Sequence, residues 1–193
     1  MIFEEIKSKL KKCTVGIAGA GGLGSNCAVA LARVGIGKLV ISDFDIVNES
    51  NLNRQYFFRD QLGQKKVHAL KENIAGINPE VKIITNDTKL NENNIVEIYK
   101  DCDVIVEAFD LAEMKKMLIE TFLSELPEKK IVLGLGMAGY GKNNLIKFRQ
   151  SENLYICGDE ESEIADDNAP LAPRVGIVAN MQANAVLELL LKK

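Results

Sequence analysis

The sequence predicts a doubly wound α/β fold: a mostly parallel sheet covered by helices, with a C-terminal antiparallel extension. Three observations predict it. A short apolar run, a glycine-rich turn, a helix-like stretch and a second apolar run follow one another within about thirty residues, the size of a βαβ unit. The alternation of strand-length and helix-period segments then continues through the middle of the chain. Near the C-terminus glycines replace that alternation, and a further strand and an apolar helix follow.

The elements are justified in order. The first dozen residues alternate charge with Ile2, Phe3, Ile6 and Leu10, a helical spacing. Thr14-Val15-Gly16-Ile17-Ala18 is a short buried strand. Residues 25–34 are small and apolar, as in a helix packed closely on a sheet, and residues 38–42 (K-L-V-I-S) are the second strand. The crossover between them is right-handed. Residues 64–77 read as a helix that stops near Asn78-Pro79, because proline disfavours helical backbone in the residue before it. Strands over 81–85, 103–108 and 131–135 alternate with helices over 93–99 and 113–124. From residue 134, G-L-G-M-A-G-Y-G is too glycine-rich for a helix. Residues 144–148 resemble an antiparallel strand, 157–167 an acidic loop, and 174–191 a strongly apolar closing helix. The 193 residues read as a single domain spanning 1–193.

Composition narrows the function. The 24 Lys and Arg against 27 Asp and Glu give a formal charge of −3, which argues against a general nucleic-acid binder. One histidine removes His-cluster metal sites from consideration. Cys13, Cys27, Cys102 and Cys157 contain no C-x-x-C pair, so no zinc ribbon is expected. Widely spaced cysteines suggest a reducing compartment. The first residues lack a signal-peptide pattern, and no apolar run reaches membrane-spanning length. A cytoplasmic protein without membrane contact is expected.

Gly19-Ala20-Gly21-Gly22-Leu23-Gly24 satisfies the Rossmann-type pattern G-x-G-x-x-G between a strand and a helix. Glycines permit the tight turn and let backbone N–H groups approach phosphate at a helix N-terminus. Asp43, at the end of the second strand, suits the hydroxyls of a ribose. This much fits any adenosine phosphate, NAD included. The loop that follows carries Asn51, Arg54 and Gln55 beyond the ribose position, and a guanidinium there suits phosphate oxygens. Lys66 opens a helix, where a cation opposes the helix dipole and so points to an anion; Lys65 reads as a surface lysine. His68, on the same helix, reads as a surface or packing residue.

The segments G-A-G-G-L-G-S, D-x-D-x-V-x-x-S-N-L-N-R-Q and L-G-Q-K-K resemble the ThiF/MoeB/HesA adenylyltransferases, relatives of the ubiquitin-activating enzymes. Glu107-Ala108-Phe109-Asp110 and the closing stretch ending in Gln182-Ala183 extend the resemblance over nearly the whole chain. The compact length is most similar to the short ThiF forms of thiamine biosynthesis. The resemblance implies ATP-dependent adenylation of the C-terminal glycine carboxylate of a ubiquitin-like sulfur carrier ending in Gly-Gly, of the ThiS type, by a homodimer. It implies that Gly19, Gly21, Gly22 and Gly24 line the nucleotide and Asp43 binds ribose. Asn51, Arg54, Gln55 and Lys66 would cradle the phosphates, with Arg54, Lys66 and Asp110 as the catalytic set and Asp110 on Mg²⁺. Asp110 is also placed to cap the helix that follows it.

The chain departs from the family in three ways. It lacks the paired C-x-x-C of zinc-bearing relatives, so no zinc is expected. It has no cysteine in the loop shortly before the closing helix, which leaves Cys157, on a mobile acidic loop, as the nearest thiol for sulfur transfer. An acidic neighbourhood would raise that thiol's pKa. The other three cysteines read as structural. There is also no arginine before Arg33 to reach a partner subunit's site. A MoaD-type carrier, an NAD(P)-dependent oxidoreductase on the same glycine loop and a non-catalytic nucleotide-binding scaffold are the competing readings.

Overall fold

The computed structural model describes residues 1–192. Seven strands form one sheet, in the order β3-β2-β1-β4-β5-β7-β6. They are β1 (Thr14–Ala18), β2 (Lys38–Ser42), β3 (Lys82–Asn86), β4 (Val104–Glu107), β5 (Lys130–Gly134), β6 (Lys147–Ser151) and β7 (Leu154–Gly158). All pairs are parallel except β6 with β7. The helices are α1 (Phe3–Leu10), α2 (Gly22–Arg33), α3 (Lys66–Ile77), α4 (Ile95–Tyr99), α5 (Ala112–Glu125) and α6 (Ala172–Leu191).

Side-chain alternation along the strands divides the core into two layers. Ile17, Leu39, Ile41, Val104, Val106 and Val132 pack with Leu31, Leu70 and Val178 from α2, α3 and α6. Val40, Ile105, Ile131 and Leu133 face the other way, onto Tyr99 of α4 and Leu118 and Phe122 of α5. The doubly wound sheet with its antiparallel extension is therefore as the periodicity predicts.

The differences from expectation cluster at the C-terminal end. The antiparallel strand lies at Lys147–Ser151 rather than 144–148, and Asn143–Leu145 is a 3₁₀ turn instead. A seventh strand, β7, runs through Leu154–Gly158, where the sequence reading gave a loop from residue 157. L-Y-I-C-G is too short to show a period. It is nevertheless buried from Tyr155 onward, because β7 is inserted between β5 and β6. The closing helix starts two residues early, with Pro173 in its first turn, where proline's missing N–H costs nothing.

Candidate functional site

In an open α/β sheet, the crevice lies beyond the carboxyl ends of the strands, at the point where the strand order reverses. Here that point falls between β1 and β4. A cavity of about 610 Å³ opens there. Its walls include Gly19, Gly21, Gly22, Asp43, Arg54, Gln55, Lys66 and Asp110, eight residues far apart in the chain that the sequence reading had singled out.

The glycine loop is set by close contacts. Gly19 has φ +99°, donates its N–H to Ser42 O at 2.9 Å, and would bring a Cβ to 2.8 Å from Ala108 O. A Cβ on Gly24 would collide with the Gly19 carbonyl. Gly24 therefore supports the turn from beneath and is not part of the cavity wall. No side chain caps α2, so its first N–H groups stay available to an anion.

Asp43 braces this loop. Its Oδ2 accepts from Ala20 N at 2.7 Å and its Oδ1 from Asp45 N at 2.8 Å. Burial pushes its pKa up, against the pull of Lys66 and those two N–H groups. Lys66, only 6% exposed, places Nζ 2.8 Å from Asp45 Oδ2, while the Asp45 carboxylate stays open to the cavity. Lys66 is thus one member of an ion pair, and Asp45 is a site residue that sequence reasoning missed, although the D-x-D spacing offered the signal. Lys65 is half-exposed and reaches Asp87 Oδ1 at 3.0 Å; His68 is exposed.

Arg54 belongs to an irregular segment beside Gly22. Its Nη1 donates to Ser50 O at 3.0 Å and to Asn53 Oδ1 at 2.8 Å, and among the described residues no carboxylate pairs with it. Gln55 is buried, and its amide oxygen has no partner among the described residues. A buried acceptor of that kind is costly unless something bonds it. Asn51 stands apart from the cavity wall. Its Oδ1 accepts from Asn48 N at 3.0 Å and closes a 3₁₀ turn, so the structure does not bring it together with the other candidates.

Asp110 is exposed at the cavity and makes no hydrogen bond or ion pair among the described residues. The residue in the N-cap position of α5 is Leu111, so Asp110 does not cap the helix. Beneath it lies a pair that the sequence did not reveal. Glu107, fully buried, takes both oxygens to Lys115 Nζ at 3.0 and 2.9 Å, and Phe109 N donates to its Oε1 at 2.7 Å. Burial pushes the Glu107 carboxyl up, and Lys115 opposes that shift. Lys115 Nζ also donates to Gly134 O at 3.0 Å, so one ammonium joins the ends of β4 and β5.

The cavity is roofed by Met137, Ile164, Pro170 and Val175. Arg174, 3% exposed, anchors this roof by donating to Asp159 Oδ2 and Gly141 O. The acidic loop therefore begins with a buried ion pair.

Cys157 also calls for correction. It lies in the interior of the sheet on β7, not on a mobile loop, and burial, rather than acidic neighbours, pushes its pKa up to about 12. Only thiolates react readily. Iodoacetamide at pH 8 should therefore leave Cys157 unmodified in the native protein and label it after unfolding, as read by peptide mass spectrometry. Labelling of native Cys157 at the rate of a free thiol would mean that β7 opens. Cys27 and Cys102 are likewise buried, and Cys13 is half-buried.

No helix among the described residues is long and apolar enough to cross a membrane. Comparison with known proteins gives one family match, to the ThiF family, over residues 1–193. The chain is 30% identical to the adenylyltransferase and sulfurtransferase UBA4 of Scheffersomyces stipitis, over 97% of this chain and 44% of that protein. It is 27% identical to the molybdopterin-synthase adenylyltransferase of Salmonella typhimurium, over 96% of this chain and 76% of that one. It thus spans less than half the length of the UBA4 relative. Among solved structures, E. coli tRNA N6-threonylcarbamoyladenosine dehydratase in complex with ATP superposes with a TM-score of 0.88 at 20% identity, covering 98% of this chain and 90% of that one. At that identity the likeness concerns the fold.

Proposed function

This chain belongs to the ThiF family, and from that premise we propose that it is an ATP-dependent adenylyltransferase acting on a ubiquitin-like sulfur carrier with a C-terminal Gly-Gly. The observation that carries the reading is the meeting of Arg54, Lys66 and Asp110 in one cavity with the glycine loop and Asp43. A dehydrogenase needs the glycine loop and an acidic residue but has no use for that cluster. The same cluster speaks against a bare scaffold.

The reaction asks little of acid–base groups. The carrier's terminal carboxylate is already ionised. One of its oxygens forms a bond to the α-phosphorus as the bond to the β-phosphate oxygen breaks, giving acyl-adenylate and pyrophosphate. The protein's part is to align the two reactants and to meet the charge that develops. Asp43 would hold the ribose end, the α2 N-terminus would face the phosphates, and Arg54 lies beside Gly22 with no carboxylate paired to its guanidinium among the described residues.

Asp110 fits a magnesium site, since it lines the cavity and its carboxylate has no partner among the described residues. Mg²⁺ takes one or two carboxylates together with substrate phosphates. Bound there, it would neutralise charge on the leaving pyrophosphate. Asp110→Ala is expected to lower exchange at least tenfold at low millimolar Mg²⁺, a general magnitude for lost charge stabilisation, while leaving the melting temperature unchanged. Wild-type kinetics with an unaltered Mg²⁺ requirement would end the assignment.

The carrier admits two readings. A ThiS-type carrier is the expectation from the family resemblance, whereas the molybdopterin-synthase adenylyltransferases among the relatives support a MoaD-type one. ATP–pyrophosphate exchange with each purified carrier separates them. Exchange dependent on one carrier identifies it, and no exchange with any Gly-Gly carrier, from protein that binds ATP, would overturn adenylation.

A further inference from the structure

Two neighbouring polar side chains near the start of α2, Ser25 and Asn26, reach beyond their own helix. Asn26 uses both amide hydrogens: Nδ2 donates to Gly22 O at 2.7 Å and to Arg54 O at 2.9 Å. Ser25, fully buried, donates from Oγ to Gly21 O at 2.6 Å and accepts from Tyr56 N at 3.0 Å. A hydrogen bond from a serine back to the carbonyl one turn earlier slightly destabilises a helix. Here each residue makes that local bond together with a long-range one, and both long-range bonds land on residues 54–56.

That segment needs fixing. Residues 54–56 lie in neither helix nor strand. Across from α2 they are held by Asn73 Nδ2, which donates to Tyr56 O at 2.8 Å. The Arg54 N–H is held locally by Asn51 O at 3.1 Å, and the Asn26 bond is the one that ties the Arg54 carbonyl to α2, the helix whose first N–H groups face the cavity. A Cβ built on Gly22 would meet Arg54 Cγ at 3.6 Å, so the arginine stem lies close beside the glycine loop.

We infer that Asn26, supported by Ser25, is a positioning residue that fixes the distance between the Arg54 guanidinium and the glycine loop, so that both engage one phosphate group. The inference rests on the phosphate role proposed for Arg54. Displacing a charged group from its working position by about 1 Å can cost up to a hundredfold in rate.

The test is a double-mutant cycle with Asn26→Ala, Arg54→Ala and both together. The readouts are Mg-ATP affinity by calorimetry and kcat and KM of carrier-dependent exchange. Asn26→Ala is expected to lower kcat about tenfold, within the range for misplaced groups, with the carrier KM unchanged. It should cause no further loss in the Arg54→Ala background. Asn26→Asp, which keeps the size and removes the donors, should repeat the effect if the alanine variant folds poorly. Losses that multiply across the two sites would overturn the inference, as would wild-type kinetics in Asn26→Ala beside an impaired Arg54→Ala. If Arg54→Ala itself keeps full ATP affinity and exchange, the phosphate role falls and this inference falls with it.

Discussion

Replacing Arg54 with alanine is expected to cut carrier-dependent ATP–pyrophosphate exchange by a hundredfold or more, the general magnitude for removing one donor aimed at developing charge. Two features of the site justify so large an effect. The guanidinium makes only local hydrogen bonds, to Ser50 O and Asn53 Oδ1, and pairs with no carboxylate among the described residues, so its charge is not already compensated. Lys66, a buried cation of the same cavity, is engaged by Asp45 at 2.8 Å. Arg54 therefore brings uncompensated charge to the glycine-loop side of the cavity. Arg54→Lys should recover only part of the rate, because an ammonium cannot present two parallel donors to a phosphate. Since Arg54 is half-exposed, circular dichroism and the melting temperature should stay as in the wild type. Exchange within about threefold of wild type, a difference of less than 1 kcal/mol in the barrier, would remove Arg54 from the mechanism.

The second large effect concerns stability. Asp159 and Arg174 are 3% exposed each and form an ion pair at the base of the roof. Removing one partner of such a pair strands a buried charge and typically costs about 3–5 kcal/mol. Arg174→Met is expected to lose that much in urea unfolding and about 10 °C in melting temperature, given the usual conversion for a chain of this size. The pair also has a pH signature. Burial alone would raise the Asp159 carboxyl, but N–H groups of Ser162 and Glu161, with Arg174, outweigh it and hold the pKa at about 2. An unfolded aspartate titrates near pH ~3.9. The stabilisation is therefore complete above about pH 4 and is lost as pH falls towards 2. In Asp159→Asn this acid limb of the stability curve should flatten. A limb as steep as that of the wild type would show that other carboxylates control it.

The parts of the fold legible in the sequence are those with long or repeated patterns. From β1 to β5, apolar strands separated by amphipathic helices leave one topology, and the glycine loop marks its active end. β7 escaped because five buried residues carry no period and a polar loop follows at once. Of the site, the place of Arg54 and Asp43 in the cavity wall was legible, because both follow the glycine loop and the second strand at a spacing that brings them to the same end of the sheet. Asn51, equally plausible by spacing, turned inward to close a turn. Lys115 and Arg174 were not legible at all: each lies on a helix where a basic residue reads as solvent-facing, and only the tertiary fold brings Glu107 and Asp159 against them.

The cavity walls have a collective property beyond the role of any single side chain. Three basic residues, Arg54, Lys66 and Lys89, face four carboxylates, Asp43, Asp45, Asp110 and Glu113. At neutral pH a bare nucleotide triphosphate would enter a compartment whose walls do not, on balance, attract it. Selectivity between free and cation-complexed nucleotide is then built into the lining. Affinity for ATP should drop sharply when a chelator strips divalent ions, while AMP, with far less charge to neutralise, should bind almost equally in both conditions. Calorimetry with the two nucleotides measures the difference directly, and equal sensitivity to chelator would mean that the walls' charge is screened before the ligand meets it.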